Sequence, residues 1–439
     1  MGAKLFHGIS KESEWRRLLT DVIVTGLVLF FVLVWIEPSP LGRQLEQACY
    51  KDTVLSWADS DSVPVQLVDL KNIPLVNGFT PRAPLLALLT SLEQMQPKPA
   101  AIGVDIDFSP HETGGWEDNE HDPEFFRECL RLEQVNKVPI YLGIRRSQYL
   151  PPSLWLGDEE FDALAASAWV DRGDIGRMPY CLKTRRTPFG PSLNSALASA
   201  YLAKKESDDP TAGLPALPGF PPEPGIPKAL AWAINRYETV QPEDDRRIRV
   251  TEFLVDYGPI RSLMEHAQSA VISSPGTATW SRPGFAESCR DKVVLLGDTT
   301  WPDDFFALPG FENSAFPGVY MQACACGTLI GRPLLELRWP GRIAVDVLFT
   351  AIVVALLVVL RREYRERQWE INTPRLHNLV TGGVCLLIVL FAGSIARLLH
   401  LLWDDYLFVV IGLWLHGVIG DVIEEIGALR EAGKRESTA

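Results

Sequence analysis

The chain has 439 residues, a formal net charge of −13 and a hydrophobic content of 47%. One hydrophobic core usually stops growing below this length, so we expect a domain of about 300 residues with additional segments around it. The acidic balance argues against a nucleic-acid partner, because neutralising a phosphate backbone requires a basic surface. The seven cysteines are compatible with disulfides or with buried free thiols, and no spacing selects a pairing.

Four apolar runs predict transmembrane helices. The first, residues 18–36, is long enough to cross the hydrocarbon layer. It is followed by Glu37 and Pro38 rather than by a small-residue cleavage site, so an uncleaved anchor is favoured over a signal peptide. The other three runs follow one another with charged joints between them, which favours spans over buried core helices. These three runs are residues 343–360, 379–396 and 406–422.

The positions of lysine and arginine predict how these spans are oriented. Both residue types concentrate in three segments, 1–17, 361–378 and 423–439, which we therefore expect in the cytoplasm. The joint between the third and fourth runs carries one Arg and two Asp, which suits the outer face. The sequence thus predicts a multi-pass membrane protein with both termini in the cytoplasm and its main domain, residues 37–341, outside.

The outer segment has the pattern of an α/β domain. Short apolar, β-rich runs alternate with helix-like stretches, which indicates a largely parallel sheet with helices on both faces. Residues 83–95 have the helical period and follow Pro81, as a helix start allows. Residues 207–228 contain many prolines and predict a surface loop. The predicted strands are 63–70, 100–108, 139–145, 253–257 and 292–298.

Acidic residues follow several of these strands, and they are the main candidates for a binding site. Ligands of parallel sheets bind at the carboxyl ends of the strands, so the acids predict a crevice for a cation or for a cationic or hydroxylated ligand. Arg82, at a helix start, is the nearest counter-ion. The alternative is that the acids cap helices and accept bonds from loop N–H groups. The strand-end acids are Asp69, Asp105, Asp107, Asp256 and Asp298.

Catalytic and metal signatures are weak. A loop rich in acids and histidines matches no established zinc spacing, so a solvated loop is favoured and a metal site is the alternative. No nucleophile elbow, phosphate-binding loop, zinc-protease motif or dinucleotide fingerprint occurs in the sequence. This argues against an enzyme and predicts no particular cofactor. The loop residues are His111, Glu112, Asp118, Glu120, His121 and Asp122.

Two blocks of sequence carry a family resemblance. Residues 63–110 contain VPVQLVDL, TPRAPLLALLTSL and PAAIGVDIDFS, and residues 253–331 contain FLVDYGPI, CRDKVVLLGDTTWPDDFFALP and FPGVYMQACACGTLI. In order and spacing they resemble the two halves of the CHASE2 domain, an extracellular sensory domain of bacterial receptors. The region from 111 to 250 shows no clear match, and Asp69 is followed by Leu-Lys rather than by the usual acids.

The resemblance implies one span before the sensory domain and three after it, in a bacterial inner membrane. It also implies a role for Asp304 in the D-x-F-x-x-P motif. The candidate ligand-binding residues are therefore Asp69, Arg82, Asp105, Asp107, Asp298 and Asp304.

The resemblance also implies a receptor function. Relatives commonly carry a kinase or cyclase after the last span, whereas this chain ends soon after residue 422. We therefore expect a receptor for an unidentified small-molecule or envelope ligand that relays to a separate cytoplasmic output protein, with a homodimer as a plausible arrangement. The alternatives are a cell-envelope metal-dependent hydrolase that uses the strand-end acids, and a membrane scaffold.

Overall fold

The computed structural model describes most of the predicted outer domain and parts of the C-terminal region. The chain divides into two compact units, one of Val54–Ala231 and Asn235–Leu335 and the other of Met1–Thr53, Trp232–Ile234 and Glu336–Ala439. Besides isolated positions, the described residues are 63–76, 80–108, 122–144, 163–168, 176–183, 190–206, 237–243, 246–273, 277–280, 284–308, 314–331, 335–336, 343–353, 374–399 and 401–402.

Fifteen strands are present among the described residues. They are β1 (Val65–Asp69), β2 (Ala101–Asp105), β3 (Ile140–Ile144), β4 (Ala165–Ser167), β5 (Arg177–Lys183), β6 (Gly190–Pro191), β7 (Tyr237–Glu243), β8 (Arg246–Leu254), β9 (Gln268–Ser273), β10 (Thr277–Trp280), β11 (Val293–Gly297), β12 (Phe305–Ala307), β13 (Ala315–Pro317), β14 (Leu335–Glu336) and β15 (Leu401–Leu402).

The helices alternate with these strands. They are α1 (Arg82–Glu93), α2 (Asp122–Asn136), α3 (Leu193–Glu206), α4 (Ile260–His266), α5 (Phe285–Ser288), α6 (Gly318–Ile330) and α7 (Pro374–Leu398), and a short 3₁₀ turn spans Pro302–Asp304. Residues 343–353 are also helical.

A seven-stranded sheet forms the centre of the first unit, in the order β10-β9-β1-β11-β2-β3-β4. Six of its strands run parallel to their neighbours, and only the edge strand β10 is antiparallel. Every residue of β1, β2 and β11 is buried, as expected for strands that helices cover on both faces. The prediction of a largely parallel α/β sheet is therefore confirmed.

One face of this sheet is covered by α1, α2 and α5, whose apolar side chains share a core cluster with the strands. Helix α1 illustrates why: four of its leucines recur at the spacing of one helical face and are buried, namely Leu85, Leu88, Leu89 and Leu92. The opposite face is covered by α3 and α6. There a Cβ added to Gly103 would meet Leu197 of α3, and one added to Gly297 would meet Val319 of α6.

A separate antiparallel sheet in the order β6-β5-β8-β7 was not predicted. A strand was predicted at 253–257, but only residues 253 and 254 of that range are in a strand. That strand is β8, which ends at Leu254 and belongs to the antiparallel sheet. The parallel edge position is taken instead by β9, which pairs with β1. The predicted loop at 207–228 lies outside the described residues.

The prediction of four transmembrane helices is wrong. A span requires one continuous helix of about 20 predominantly apolar residues, and no helix in the described part of the chain combines that length with that apolarity. The runs 18–36 and 406–422 lie outside the described residues except for isolated positions, and 343–360 is described in part. The segments 1–17 and 423–439, and most of 361–378, are not described either.

Candidate ligand-binding site

The central strands bring two predicted acids into register at the carboxyl edge of the sheet. Asp69 at the end of β1 and Asp105 at the end of β2 both pair with Gly297, because β11 lies between the two strands. Neighbouring strands are about 4.8 Å apart, which places the two acidic Cα atoms roughly 10 Å from each other. Both residues are buried, with 6% and 5% exposure, and Asp298 directly follows Gly297.

These two acids lie on the face of the sheet that α6 covers. Residues in register on adjacent strands project to the same face, and the Cβ direction of Gly297 meets Val319 of α6. Asp69 and Asp105 therefore project towards the layer that contains the N-terminal turn of α6.

Asp304 joins this edge through a short hairpin. Strands β12 and β13 pair antiparallel, with Phe305 opposite Pro317, so Asp304 before the hairpin lies beside Gly318 after it. A Cβ added to Gly318 would lie 2.7 Å from Oδ2 of Asp304. Gly318 begins α6, and the positive end of the helix dipole favours a carboxylate at this position.

Two of the acids also accept hydrogen bonds from the loop residues that follow them. Oδ1 of Asp69 accepts a bond from the N–H of Lys71 at 3.0 Å, and Oδ2 lies 3.2 Å from the Lys71 Nζ. Oδ1 of Asp298 accepts bonds from the N–H and the Oγ1 hydroxyl of Thr300, both at 2.7 Å. Such local bonds are typical of turn-forming acids, so the alternative interpretation of the strand-end acids accounts for part of their geometry.

Arg82 contacts the core on the face of the sheet that α1 and α2 cover. Its guanidinium forms an ion pair with Asp122, donates to the Thr80 carbonyl at 3.1 Å and lies 4.5 Å from the centre of the Phe108 ring. Phe108 belongs to the core cluster on the face of α1 and α2. The main contacts of Arg82 therefore join the first residues of α1 and α2.

The two remaining acids differ in position. Asp107 is half-buried two residues beyond the end of β2, near the carboxyl edge. Asp256 lies elsewhere: its N–H donates to Oγ1 of Thr328 at 2.9 Å, and its Oδ1 accepts from the Gly258 N–H at 2.8 Å. Burial raises the pKa of Asp256. Thr328 is ten residues beyond Gly318, about 15 Å along the helix, so Asp256 is not brought to the site.

Tyr320 is a site residue that the sequence analysis missed. It is 6% exposed in the first turn of α6. Burial, with a further contribution from the nearby charge of Asp69, raises the pKa of Tyr320 to about 12. The phenol therefore stays neutral next to the carboxylate. Its place in the P-G-V-Y motif at the helix start was the available sequence signal.

A buried polar network behind the site was also missed. The Nδ2 of Asn194 at the start of α3 donates to Oε1 of Gln322 on α6 at 3.0 Å. The Ser192 hydroxyl donates to Oδ1 of Asn194 at 2.6 Å, and Nε2 of Gln322 donates to the Ala168 carbonyl at 3.4 Å. Asn194 is fully buried and Gln322 is 1% exposed. These bonds tie α6 to α3 one turn below Gly318.

The predicted metal alternative receives no support within the described chain. Among the described residues, no group of three or more His, Cys, Asp or Glu side chains is arranged to hold a metal ion. The loop residues 109–121, which include both histidines of that alternative, lie outside the described residues.

Comparison with known proteins identifies the family. The CHASE2 domain model matches residues 24–359, a range that contains both resembling blocks and the region between them. No match was found among curated proteins or among solved structures. The family match covers well over half of the chain, and the chain therefore belongs to the CHASE2 family of extracellular sensory domains.

Proposed function

We propose that this protein is a membrane-attached receptor whose CHASE2 domain lies outside the cytoplasm and binds a small cationic or hydroxylated ligand. The observation that carries the proposal is the register of Asp69 and Asp105 on either side of Gly297, facing the layer of α6. The ligand-bound state would be relayed to a separate cytoplasmic output protein.

The chemistry of the edge favours such a ligand. Asp69, Asp105 and Asp298 supply carboxylate oxygens, and Tyr320 supplies a neutral hydroxyl. In a largely buried site, bonds from a ligand ammonium or hydroxyl group to carboxylates are stronger than the same bonds in bulk water. The bonds of Asp69 and Asp298 to their own loops orient these carboxylates before a ligand arrives.

Helix α6 is the element best placed to report ligand binding. Its first turn holds Gly318 against Asp304 and Tyr320 near Asp69, and its second turn holds Gln322 in the buried network. A ligand that contacts both the strand ends and this turn would favour one position of α6 over another. Differential affinity for two arrangements is the physical basis of a sensory response.

Binding is tested by titrating the purified full-length protein with putrescine, choline, glycerol and glucose. We expect at least one probe to bind, and Asp105→Asn to weaken its binding by about tenfold or more, equivalent to roughly 1.4 kcal/mol. The matched control is Asp291→Asn, an exposed acid before the amino end of β11. Equal binding by both variants, or no binding by any probe, would contradict the proposed site.

Location and relay are tested in the native host. Membrane fractionation and protease protection should place the CHASE2 domain on the outer side of the plasma membrane. Co-purification in mild detergent should recover a cytoplasmic kinase, cyclase or protease with the intact protein and lose it with a variant lacking residues 361–375 and 424–439. Recovery of the protein in the soluble fraction would contradict membrane attachment, and equal partner recovery by both forms would contradict relay through these segments.

A further inference from the structure

Glu93 is an unusual acid at the opposite end of α1 from the candidate site. It is the last residue of the helix and is fully buried. Neither of its carboxylate oxygens has a hydrogen-bond partner among the described residues. A buried ionised carboxylate without such partners is costly, so this position favours the protonated form.

A second acid lies close to the first. Glu133, in the last turn of α2, acts electrostatically on Glu93, and the two helices share one core cluster. Each carboxylate thus lies near the C-terminus of its helix, where the negative end of the dipole disfavours a negative charge. Ionisation of one acid also disfavours ionisation of the other.

The nearest cation only partly offsets these effects. Lys98 lowers the pKa of Glu93, but its Nζ donates to the Asn136 carbonyl at the end of α2 at 2.7 Å. Burial outweighs it and raises the pKa of Glu93 to about 8. Burial likewise raises the pKa of Glu133 to about 7, although a hydrogen bond with the backbone of Ile140 lowers it.

The other elements near α1 add little charge. Strands β9 and β10 contain no ionisable side chain. On α5, Glu287 is exposed and paired with Arg290. On α2, Cys129 is fully buried, and desolvation raises the pKa of its thiol far enough to keep it neutral. Lys98 and Glu133 are therefore the described charged groups that govern Glu93.

We propose that Glu93 and Glu133 form a proton-sensitive latch between the C-terminal ends of α1 and α2. The latch is closed when Glu93 holds a proton and loosens when Glu93 ionises. It lies at the sheet edge opposite the candidate ligand site. This inference does not depend on the proposed ligand site.

The direction of the effect follows from linkage. The pKa of Glu93 is higher in the closed state than in an opened, solvated state, so the closed state holds more protons between the two values. Raising the pH from about 6 to about 9 should therefore increase opening of the latch by about tenfold or more. Local opening of this kind is measurable by amide hydrogen exchange.

The test is hydrogen exchange of the full-length protein at about pH 6 and about pH 9, corrected for the intrinsic pH dependence of exchange. Peptides covering the last turns of α1 and α2 should lose protection at the higher pH in the wild type. Glu93→Gln should remove most of this dependence, and Glu128→Gln should keep it. Glu128 is a matched control because it lies on α2 but bonds to Arg131 on the same helix.

A second variant and a second readout test the latch even if Glu93→Gln fails to fold. Glu93→Leu removes both the charge and the unpartnered oxygens, so it should fold and should also remove most of the pH dependence. Infrared difference spectra between the two pH values should show a protonated carboxyl band that Glu93→Gln lacks. Three results would each overturn the latch: unchanged protection in the wild type, a wild-type pH dependence in both Glu93 variants, or no infrared band assignable to Glu93.

Discussion

At the residue scale, the buried pair of Arg82 and Asp122 is predicted to be structural. Asp122→Asn leaves the guanidinium without its charge partner, and removing one member of a buried pair costs about 3–5 kcal/mol. Chemical unfolding should therefore show a large loss of stability. Asp291→Asn, which breaks a pair whose Asp side chain is 70% exposed, should cost less than about 1 kcal/mol. Equal losses would contradict a structural role for the pair.

Gly318 provides a second residue-scale prediction. In Gly318→Ala the new methyl group would lie 2.7 Å from Oδ2 of Asp304, so the carboxylate must move and ligand affinity should fall. Gly327→Ala on the same helix places its methyl group 3.4 Å from Val63, an ordinary contact. The control should be neutral or gain about 0.5–1 kcal/mol, because Ala is the better helix former. Probe titration of both variants checks this, and equal affinities would argue against the α6 N-terminus as part of the site.

The strand-end acids could be predicted from the sequence, because an apolar run predicts a buried strand and its last residue marks the end of that strand. Asp69 and Asp105 each end a buried apolar run, and parallel pairing necessarily brings such ends to one edge. The partners of Arg82 and Asp256 could not be predicted, because Asp122 and Thr328 are brought to them by tertiary packing alone. Tyr320 was missed although its P-G-V-Y motif was a signal, because its proximity to Asp69 arises from tertiary packing.

At the element scale, the buried network between α3 and α6 is predicted to be cooperative. Asn194→Leu or Gln322→Leu alone leaves a buried amide without its partner, which costs about 1–3 kcal/mol. The double variant should lose less than the sum of the two single losses, because neither amide is then left without the other. Equilibrium unfolding of all three variants measures the coupling, and strictly additive losses would contradict a shared bond.

The elements that the sequence predicted well are those with a strong local pattern. Strands β1, β2, β3 and β11 fall within their predicted ranges, and helix α1 begins one residue before its predicted range of 83–95 and ends two residues before the end of that range. Near-continuous apolar runs and a regular leucine spacing leave few alternatives. Strand β9 and the antiparallel sheet escaped prediction. The β9 sequence QSAVIS is short and partly polar, and β7 and β8 are rich in charged residues.

At the scale of the whole molecule, stability is predicted to fall as the pH rises. Glu93 and Glu133 have raised pKa values of about 8 and about 7 in the folded state. The folded protein therefore holds more protons than the unfolded chain above the ordinary glutamate pKa, and this stabilisation is lost as the pH rises through the folded values. Between about pH 6 and about pH 8.5 the free energy of unfolding should drop by roughly 4 kcal/mol.

Denaturant unfolding across that pH range checks the prediction. Glu93→Gln should flatten most of the profile, whereas Glu128→Gln should leave its slope unchanged. A stability that rises with pH over this interval would contradict the assignment of raised values to the buried acids.

Whole-molecule organisation was predicted unevenly. The α/β sensory domain and its family followed from ordered motifs at both ends of the domain, and the family match joins those motifs across the middle region. The prediction of transmembrane helices was wrong, because a spanning helix needs sufficient continuous helical length as well as apolarity.

The most direct test of the central claim is hydrogen-exchange footprinting of the intact protein with and without the tightest-binding probe. A ligand at the carboxyl edge should protect residues 298–304 and 318–322, which contain Asp298, Asp304, Gly318 and Tyr320. It should leave strand β8 of the separate antiparallel sheet unchanged. Protection confined to β8, or absent from both edge segments while the probe is bound, would contradict a sensory site at this edge.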